Sequence, residues 1–189
     1  MPSPATPRRL IVLDRDGVIN RDSRDFIRRP AEWVPLPGSL EAIAALTHAG
    51  FEVVIASNQS GVGRGLFTAE TLAAIHDRMR QAVEAGGGRI AGIYWCPHGP
   101  DDGCECRKPR PGLLRRIEAD FGVSLAGVPA VGDSRRDLEA AWQVGARALL
   151  VRTGNGLETE GRLAPGEPVE VFADLAAVAR TLVREVDAR

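Results

Sequence analysis

Lysine is almost missing from this chain: of 24 basic residues, 23 are arginine and one, Lys108, is lysine. Arginine and lysine are not interchangeable where a compact point charge is needed, so a lone lysine marks Lys108 for a functional requirement. Net charge is nearly absent too, at -1, which argues against a general attraction to nucleic acid or a membrane surface. No stretch approaches the roughly 18 consecutive apolar residues of a membrane-spanning helix. Residues 1–9 are basic and proline-rich but lack the apolar core of a signal peptide, so the expected location is the cytoplasm. There, three cysteines are thiols or metal ligands rather than a disulfide framework. Aromatics make up 5% of the chain, and Trp33, Trp95 and Trp142 read as core or loop anchors, not as a stacking platform for bases. Internal repeats and low-complexity tracts are absent.

At 189 residues, 44% hydrophobic and 26% charged, the chain suits a single soluble domain spanning 1–189. Strand-like apolar runs occur at 10–13, 51–56, 90–94, 128–131 and 146–151, with a weaker one at 169–172. Helical spacing separates them. Leu40, Ile43 and Leu46 share a face. Thr68 can cap a helix carrying Leu72, Ile75, Met79 and Val83 that ends at Gly86-Gly87-Gly88. Pro111 and Gly122 bracket a helix with Leu114, Ile117 and Phe121 inward. Asp174 starts a helix carrying Leu175, Val178, Leu182 and Val186. This alternation predicts an α/β fold, a Rossmann-like three-layer sandwich around a parallel sheet. Residues 95–111, rich in Cys, Gly, Pro and Asp, interrupt the pattern.

Chemistry gathers at four points. The first predicted strand runs into Asp14-Arg15-Asp16-Gly17, and the carboxyl ends of strands in open α/β sheets are where ligands bind. Two acids this close need a cation, a proton or a basic partner. Ser57-Asn58-Gln59-Ser60 follows the second strand with a hydroxyl and backbone N–H groups suited to phosphate oxygens. Arg107-Lys108-Pro109 supplies positive charge. In Gly132-Asp133-Ser134-Arg135-Arg136-Asp137, Gly132 allows close backbone approach, Asp133 can ligate a cation, and Asp137 can orient that ligand or its water.

A second cluster is Cys96-Pro97-His98, five further residues, then Cys104-Glu105-Cys106. Three sulfurs and one imidazole within eleven residues fit a closed tetrahedral Zn²⁺ site, which leaves no position for substrate and is therefore structural. Free thiols in a turn-rich loop are the alternative. The loop, about residues 95–110, ends beside Lys108, so zinc there positions Arg107 and Lys108. The glycine run 61–65 reads as a flexible connection rather than a phosphate cradle. His48 and His76 read as surface or packing residues.

The ordered set D-x-D-G-V-I-N, S-N-Q, R-K-P and G-D-x-x-x-D resembles the haloacid dehalogenase-like phosphohydrolases over residues 9 to about 153. The resemblance implies Asp14 as nucleophile, forming an aspartyl-phosphate, and Asp16 as proton donor and then acceptor. It implies Mg²⁺ on the carboxylates of Asp14 and Asp133 and the backbone carbonyl of Asp16, with Asp137 behind them. Lys108 and Ser57 complete the catalytic set, and Ser57, Asn58, Gln59, Ser60 and Lys108 the phosphate contacts.

The zinc loop narrows the resemblance to a group without a large cap domain. That group contains phosphatases of D-glycero-D-manno-heptose 1,7-bisphosphate, which remove the 7-phosphate on the way to surface polysaccharide, and of histidinol phosphate. Of the two, the heptose bisphosphate is the favoured expectation. Substrate contacts implied are Asp22, Ser23, Arg24, Asp25 and Arg107, with Arg28, Arg29 and Arg64 as further cations for a bisphosphate. Some relatives carry Lys where this chain has Ser134. An inactive zinc-stabilised binding module is a third reading, and intact Asp14, Asp16, Lys108 and Asp133 weigh against it. A monomer acting on a small phosphorylated sugar is expected, without nucleic acid or membrane.

Overall fold

The computed structural model describes residues 8–188, so the reading of the N-terminal segment as lacking a signal lies largely outside the described residues. Six strands form one parallel sheet: β1 (Arg9–Leu13), β2 (Phe51–Asn58), β3 (Ile90–Cys96), β4 (Pro129–Gly132), β5 (Arg147–Val151) and β6 (Val169–Phe172). Their order is β3-β2-β1-β4-β5-β6. The chain winds outward from β1 through β2 and β3, then returns to start β4 on β1's other side. This reversal opens a crevice at the carboxyl ends of β1 and β4, the usual ligand position in such sheets. In register, Leu13 pairs with Ile55 of β2 and Val131 of β4, which places Asp14 and Asp133 just past neighbouring strand ends.

Both faces of the sheet are covered, and β1 shows why its residues are apolar throughout. Ile11 and Leu13 face one core with α1 (Ser39–His48), α3 (Ala69–Ala85) and α7 (Leu175–Asp187). Leu10 and Val12 face the other with α4 (Gly112–Phe121) and α5 (Arg135–Gln143). All four side chains are buried, each stabilising by about 1.5–3 kcal/mol. The caps follow the sequence: Thr68 Oγ1 accepts from Thr71 N–H, and Asp174 Oδ1 from Ala177 N–H.

The sequence pattern missed α5, a 3-10 turn at Pro30–Glu32 and two short helices. The run 61–65 is not a plain connection: Ser60–Gly63 forms a helical turn, α2. Gly61 lies against Phe67 and Gly63 against the Pro97 carbonyl, so a Cβ at either position would overlap its neighbour. A second turn, α6 (Gly156–Glu160), follows β5. No helix among the described residues is long and apolar enough to cross a membrane, and no cap domain is inserted among these elements.

Candidate active site

A cavity of about 240 Å3 opens at the carboxyl ends of the strands, at the β1/β4 crevice. This is just below the roughly 300–1,000 Å3 usual for small-molecule sites, which suits a small ligand. Asp14 and Asp16 from β1, Ser57 to Ser60 from β2, Asp133, Ser134 and Asp137 after β4, and Arg107 and Lys108 from the Cys/His loop all line it.

Lys108 is the electrostatic centre. The residue is 5% exposed, and its ammonium meets Asp14 Oδ1 at 3.0 Å, Asp137 Oδ1 at 2.6 Å and the Ala56 carbonyl at 2.7 Å. Three donors therefore meet three acceptors. The two carboxylates outweigh the cost of burial and raise its pKa, keeping it charged. No strand carries Lys108; Asn58 holds it from across the rim. The Asn58 amide donates to the Lys108 carbonyl and accepts from its N–H, both at 3.0 Å. Both polar ends of the Asn58 side chain are thus engaged in fixing the loop.

Asp14, Asp133 and Asp137 bring carboxylate oxygens within 4.8 Å of one another, three anions against one ammonium. Asp137 is spoken for. Its Oδ1 takes Lys108, and its Oδ2 takes the N–H and hydroxyl of Ser134 at the cap of α5. Asp133 Oδ2 accepts from the backbone and side-chain N–H groups of Asn155, at 2.8 and 3.0 Å. Asp14 and Asp133 each keep a second oxygen beyond these bonds. Burial, then the neighbouring carboxylates, push Asp133 up to about 8. Burial also pushes Asp14 up to about 7 against the pull of Lys108. Such crowding is relieved by a cation, and an all-oxygen donor set suits a hard divalent ion such as Mg²⁺. Gly17, at φ +80°, makes the approach possible: a Cβ there would overlap the Asp133 carboxylate.

Asp16 sits differently. Its carboxylate receives Arg15 Nε and Nη2, Asn20 Nδ2 at 2.8 Å and Gln59 Nε2 at 2.8 Å. Burial alone would raise its pKa, but the Arg15 charge and these donors hold it below the usual carboxylate range. Gln59 also donates to Ser57 Oγ. Ser57 is 1% exposed, and its hydroxyl proton is available to an acceptor in the cavity.

The Cys/His cluster lies beside this rim. The separations are 3.4 Å for Cys96 Sγ to His98 Nδ1, 3.7 Å for Cys96 to Cys104 and 3.6 Å for Cys106 to Cys104. Cys106 stands 3.1 Å from Cys96 and 3.2 Å from His98 Nδ1. A tetrahedron drawn at the Zn–S distance of about 2.3 Å has edges of about 3.8 Å. The set is near that size, and far from the roughly 2.05 Å of a disulfide. Burial and the neighbouring Cys106 thiol push Cys96 up to about 12, so three thiolates need a cation to coexist. From this loop Arg107 Nη1 donates to the His98 carbonyl at 2.9 Å.

Of the substrate contacts expected from the sequence, Asp22 and Ser23 line the cavity, whereas Arg24 and Asp25 are exposed and outside its lining. Phe26, Ile27, Arg136 and Asn155 line it without having been singled out. Asn155 had a readable signal, its place just after β5 on the same rim. His76 is not a surface residue: it is 6% exposed and meets Arg15.

Comparison with known proteins agrees with this geometry. A family model described as polynucleotide kinase 3 phosphatase matches residues 9–134, and a HAD-hydrolase-like model matches residues 105–178. The D-glycero-beta-D-manno-heptose-1,7-bisphosphate 7-phosphatase of Bordetella bronchiseptica is 56% identical over 94% of this chain and 99% of its own. The enzyme of the same name from Pseudomonas aeruginosa is 52% identical, also over 94% of this chain and 99% of its own. A crystal structure of D,D-heptose 1,7-bisphosphate phosphatase from B. bronchiseptica, complexed with magnesium and phosphate, superposes with a TM-score of 0.91 at 56% identity. It covers 94% of this chain and 99% of that one. The corresponding Burkholderia thailandensis structure gives a TM-score of 0.74 at 44% identity, covering 93% and 99%. With a family model over most of its length, and relatives this similar from end to end, the chain belongs to the haloacid dehalogenase-like phosphatases.

Proposed function

We propose that this protein, as one domain over residues 1–189, is a Mg²⁺-dependent phosphomonoesterase that removes the 7-phosphate of D-glycero-β-D-manno-heptose 1,7-bisphosphate. The observation that carries the chemistry is Lys108 Nζ bonded to Asp14 at 3.0 Å, beside a carboxylate cluster sized for one cation. The substrate rests on relatives of that name at up to 56% identity over nearly the whole chain. The reaction supplies heptose for surface polysaccharide.

Asp14, Asp133 and the Asp16 carbonyl would hold Mg²⁺, with Asp137 anchoring Lys108 behind them. When bound, the ion neutralises phosphoryl oxygens. Asp14 attacks phosphorus, and the bond from phosphorus to the sugar oxygen breaks. Ser57, the 57–60 backbone and Lys108 bind the phosphoryl oxygens. Each carboxylate–phosphate charge pair at about 4 Å costs about 4 kcal/mol at an effective dielectric of about 20, which is why Lys108 stands where it does. Asp16 gives its proton to the departing sugar oxygen, then takes one from the water that cleaves the Asp14 phosphate. The Arg15 charge and the donors around Asp16 favour its ionised form in the free protein. The incoming phosphate dianion raises the affinity of Asp16 for a proton by like-charge repulsion, and the proton it then donates is taken up from solvent as substrate binds.

Asp22, Ser23 and Arg107 take the sugar and its second phosphate, with Arg24 and Asp25 reaching it only if their loop closes. Zn²⁺ on Cys96, His98, Cys104 and Cys106 is structural. The protein works as a cytoplasmic monomer on a free small molecule, without nucleic acid or membrane. Phosphate release from heptose 1,7-bisphosphate and from histidinol phosphate, compared as kcat/KM, tests the substrate. The bisphosphate is expected to win by at least about a hundredfold, a margin expected when a site's paired charges are left unmet by the wrong substrate. Preference for histidinol phosphate would overturn the assignment.

A further inference from the structure

Arg15 stands between the two motif aspartates, yet the reaction above makes no use of it. Its guanidinium is deeply buried, with 2% of the side chain exposed, and a charge that deep needs partners for all its donors. Nε and Nη2 grip the two oxygens of Asp16 at 2.9–3.1 Å. Nη1 points the other way and meets His76 Nε2 at 3.4 Å. Arginine has no acceptor, so Nε2 must accept and the imidazole proton sits on Nδ1. His76 comes from α3, 61 residues away in sequence, and is 6% exposed. Burial and the Arg15 charge push its pKa down to about 3, so it is a neutral acceptor at any working pH. Asp16 is held elsewhere by Asn20, itself fixed by Trp33 Nε1 at 3.0 Å, and by Gln59.

We propose that His76 is a positioning residue for the proton donor: it holds Arg15 against both oxygens of the Asp16 carboxylate and so fixes how Asp16 faces the leaving oxygen. The inference rests on Asp16 being that donor. Without His76 a buried N–H of Nη1 loses its acceptor, and Arg15 turning to recover one would loosen its bonds to Asp16. The cost then falls on the step that needs the proton delivered, not on phosphate binding.

A leaving-group comparison separates this role from plain structural support. A sugar alkoxide needs a proton to depart and p-nitrophenolate does not, and kcat/KM reports only the steps through leaving-group release. The readout is kcat/KM for heptose 1,7-bisphosphate divided by that for p-nitrophenyl phosphate, measured with a thermal midpoint for each variant. Asp16→Asn is expected to lower this ratio at least about a hundredfold. His76→Leu is expected to lower it about tenfold, and His76→Gln, whose amide oxygen can reach Nη1, to bring it back within about threefold of wild type. His76→Asn is polar but too short to reach Arg15; it stands in if the leucine variant does not fold, and the same tenfold loss is expected. Equal loss on both substrates in Asp16→Asn would remove the reading of Asp16 itself. A normal leaving-group effect in Asp16→Asn, with equal losses or none in the His76 variants, would overturn the role of His76 alone.

Discussion

Replacing Lys108 with arginine keeps its charge and tests its shape. The ammonium satisfies three acceptors that surround one nitrogen, at 2.6, 2.7 and 3.0 Å, in a site 5% exposed. A guanidinium presents its donors in a plane on a longer head, so it cannot meet all three from the space one nitrogen occupies. Losing one bond to a charged group costs about 1.5–3 kcal/mol, which is about 10–150-fold in turnover when that carboxylate is the nucleophile. Overpacking adds about 1–3 kcal/mol of lost stability. The assay is phosphate release at saturating Mg²⁺, with a thermal melt to separate the two losses. Lys108→Met removes the charge, and about 4 kcal/mol per charge pair gives a loss of about a thousandfold. Turnover within twofold of wild type in Lys108→Arg, beside an inactive Lys108→Met, would show that charge alone matters and that the lone lysine is an accident of composition.

Three further outcomes follow from the geometry. Asp14 and Asp133, raised from 3.8 to about 7 and about 8 without metal, bind protons more tightly folded than unfolded. Their contribution to stability is full below about pH 4 and is lost as pH rises toward 8, so added Mg²⁺ should raise the thermal midpoint more at pH 8 than at pH 5.5; equal shifts would contradict this. Purified protein should carry close to one zinc per chain by elemental analysis. Cys104→Ala should lower both midpoint and turnover, because Arg107 is bonded to the His98 carbonyl and metal binding is folding free energy for such a loop; unchanged kinetics would detach the cluster from the site. Gly17→Ala forces a Cβ into the Asp133 carboxylate at a positive φ and should weaken activation by Mg²⁺ at least tenfold, about 1.4 kcal/mol, visible in a Mg²⁺ titration of phosphate release.

The framework of this molecule is legible because its signals are local. An apolar run ending in Asp14, a hydroxyl at the end of β2 and Gly-Asp at the end of β4 each announce a strand's carboxyl end, and Leu40, Ile43 and Leu46 fall on α1 as their spacing predicts. What escaped is held together by distant pairing. Asn58 clamping Lys108 spans 50 residues, Asn155 on Asp133 spans 22, and His76 on Arg15 spans 61; spacing along a chain gives no sign of such bonds. The turn at Ser60–Gly63 was hidden by its glycines, which have low helix propensity, although packing against Phe67 and Pro97 requires them. The whole of α5 was missed, because Asp137, read as orienting a metal ligand, also closes the capping box with Ser134 that starts this helix. Arg24 and Asp25 were implied as contacts by the family resemblance; both are exposed and neither lines the cavity.

The most direct test of the account is the ³¹P spectrum of D-glycero-β-D-manno-heptose 1,7-bisphosphate during turnover by the wild-type protein with Mg²⁺. The C7 phosphomonoester resonance is expected to be replaced by inorganic phosphate while the anomeric C1 phosphate resonance persists, and Asp14→Asn is expected to leave both unchanged. Loss of the C1 resonance, or continued hydrolysis by Asp14→Asn, would contradict it.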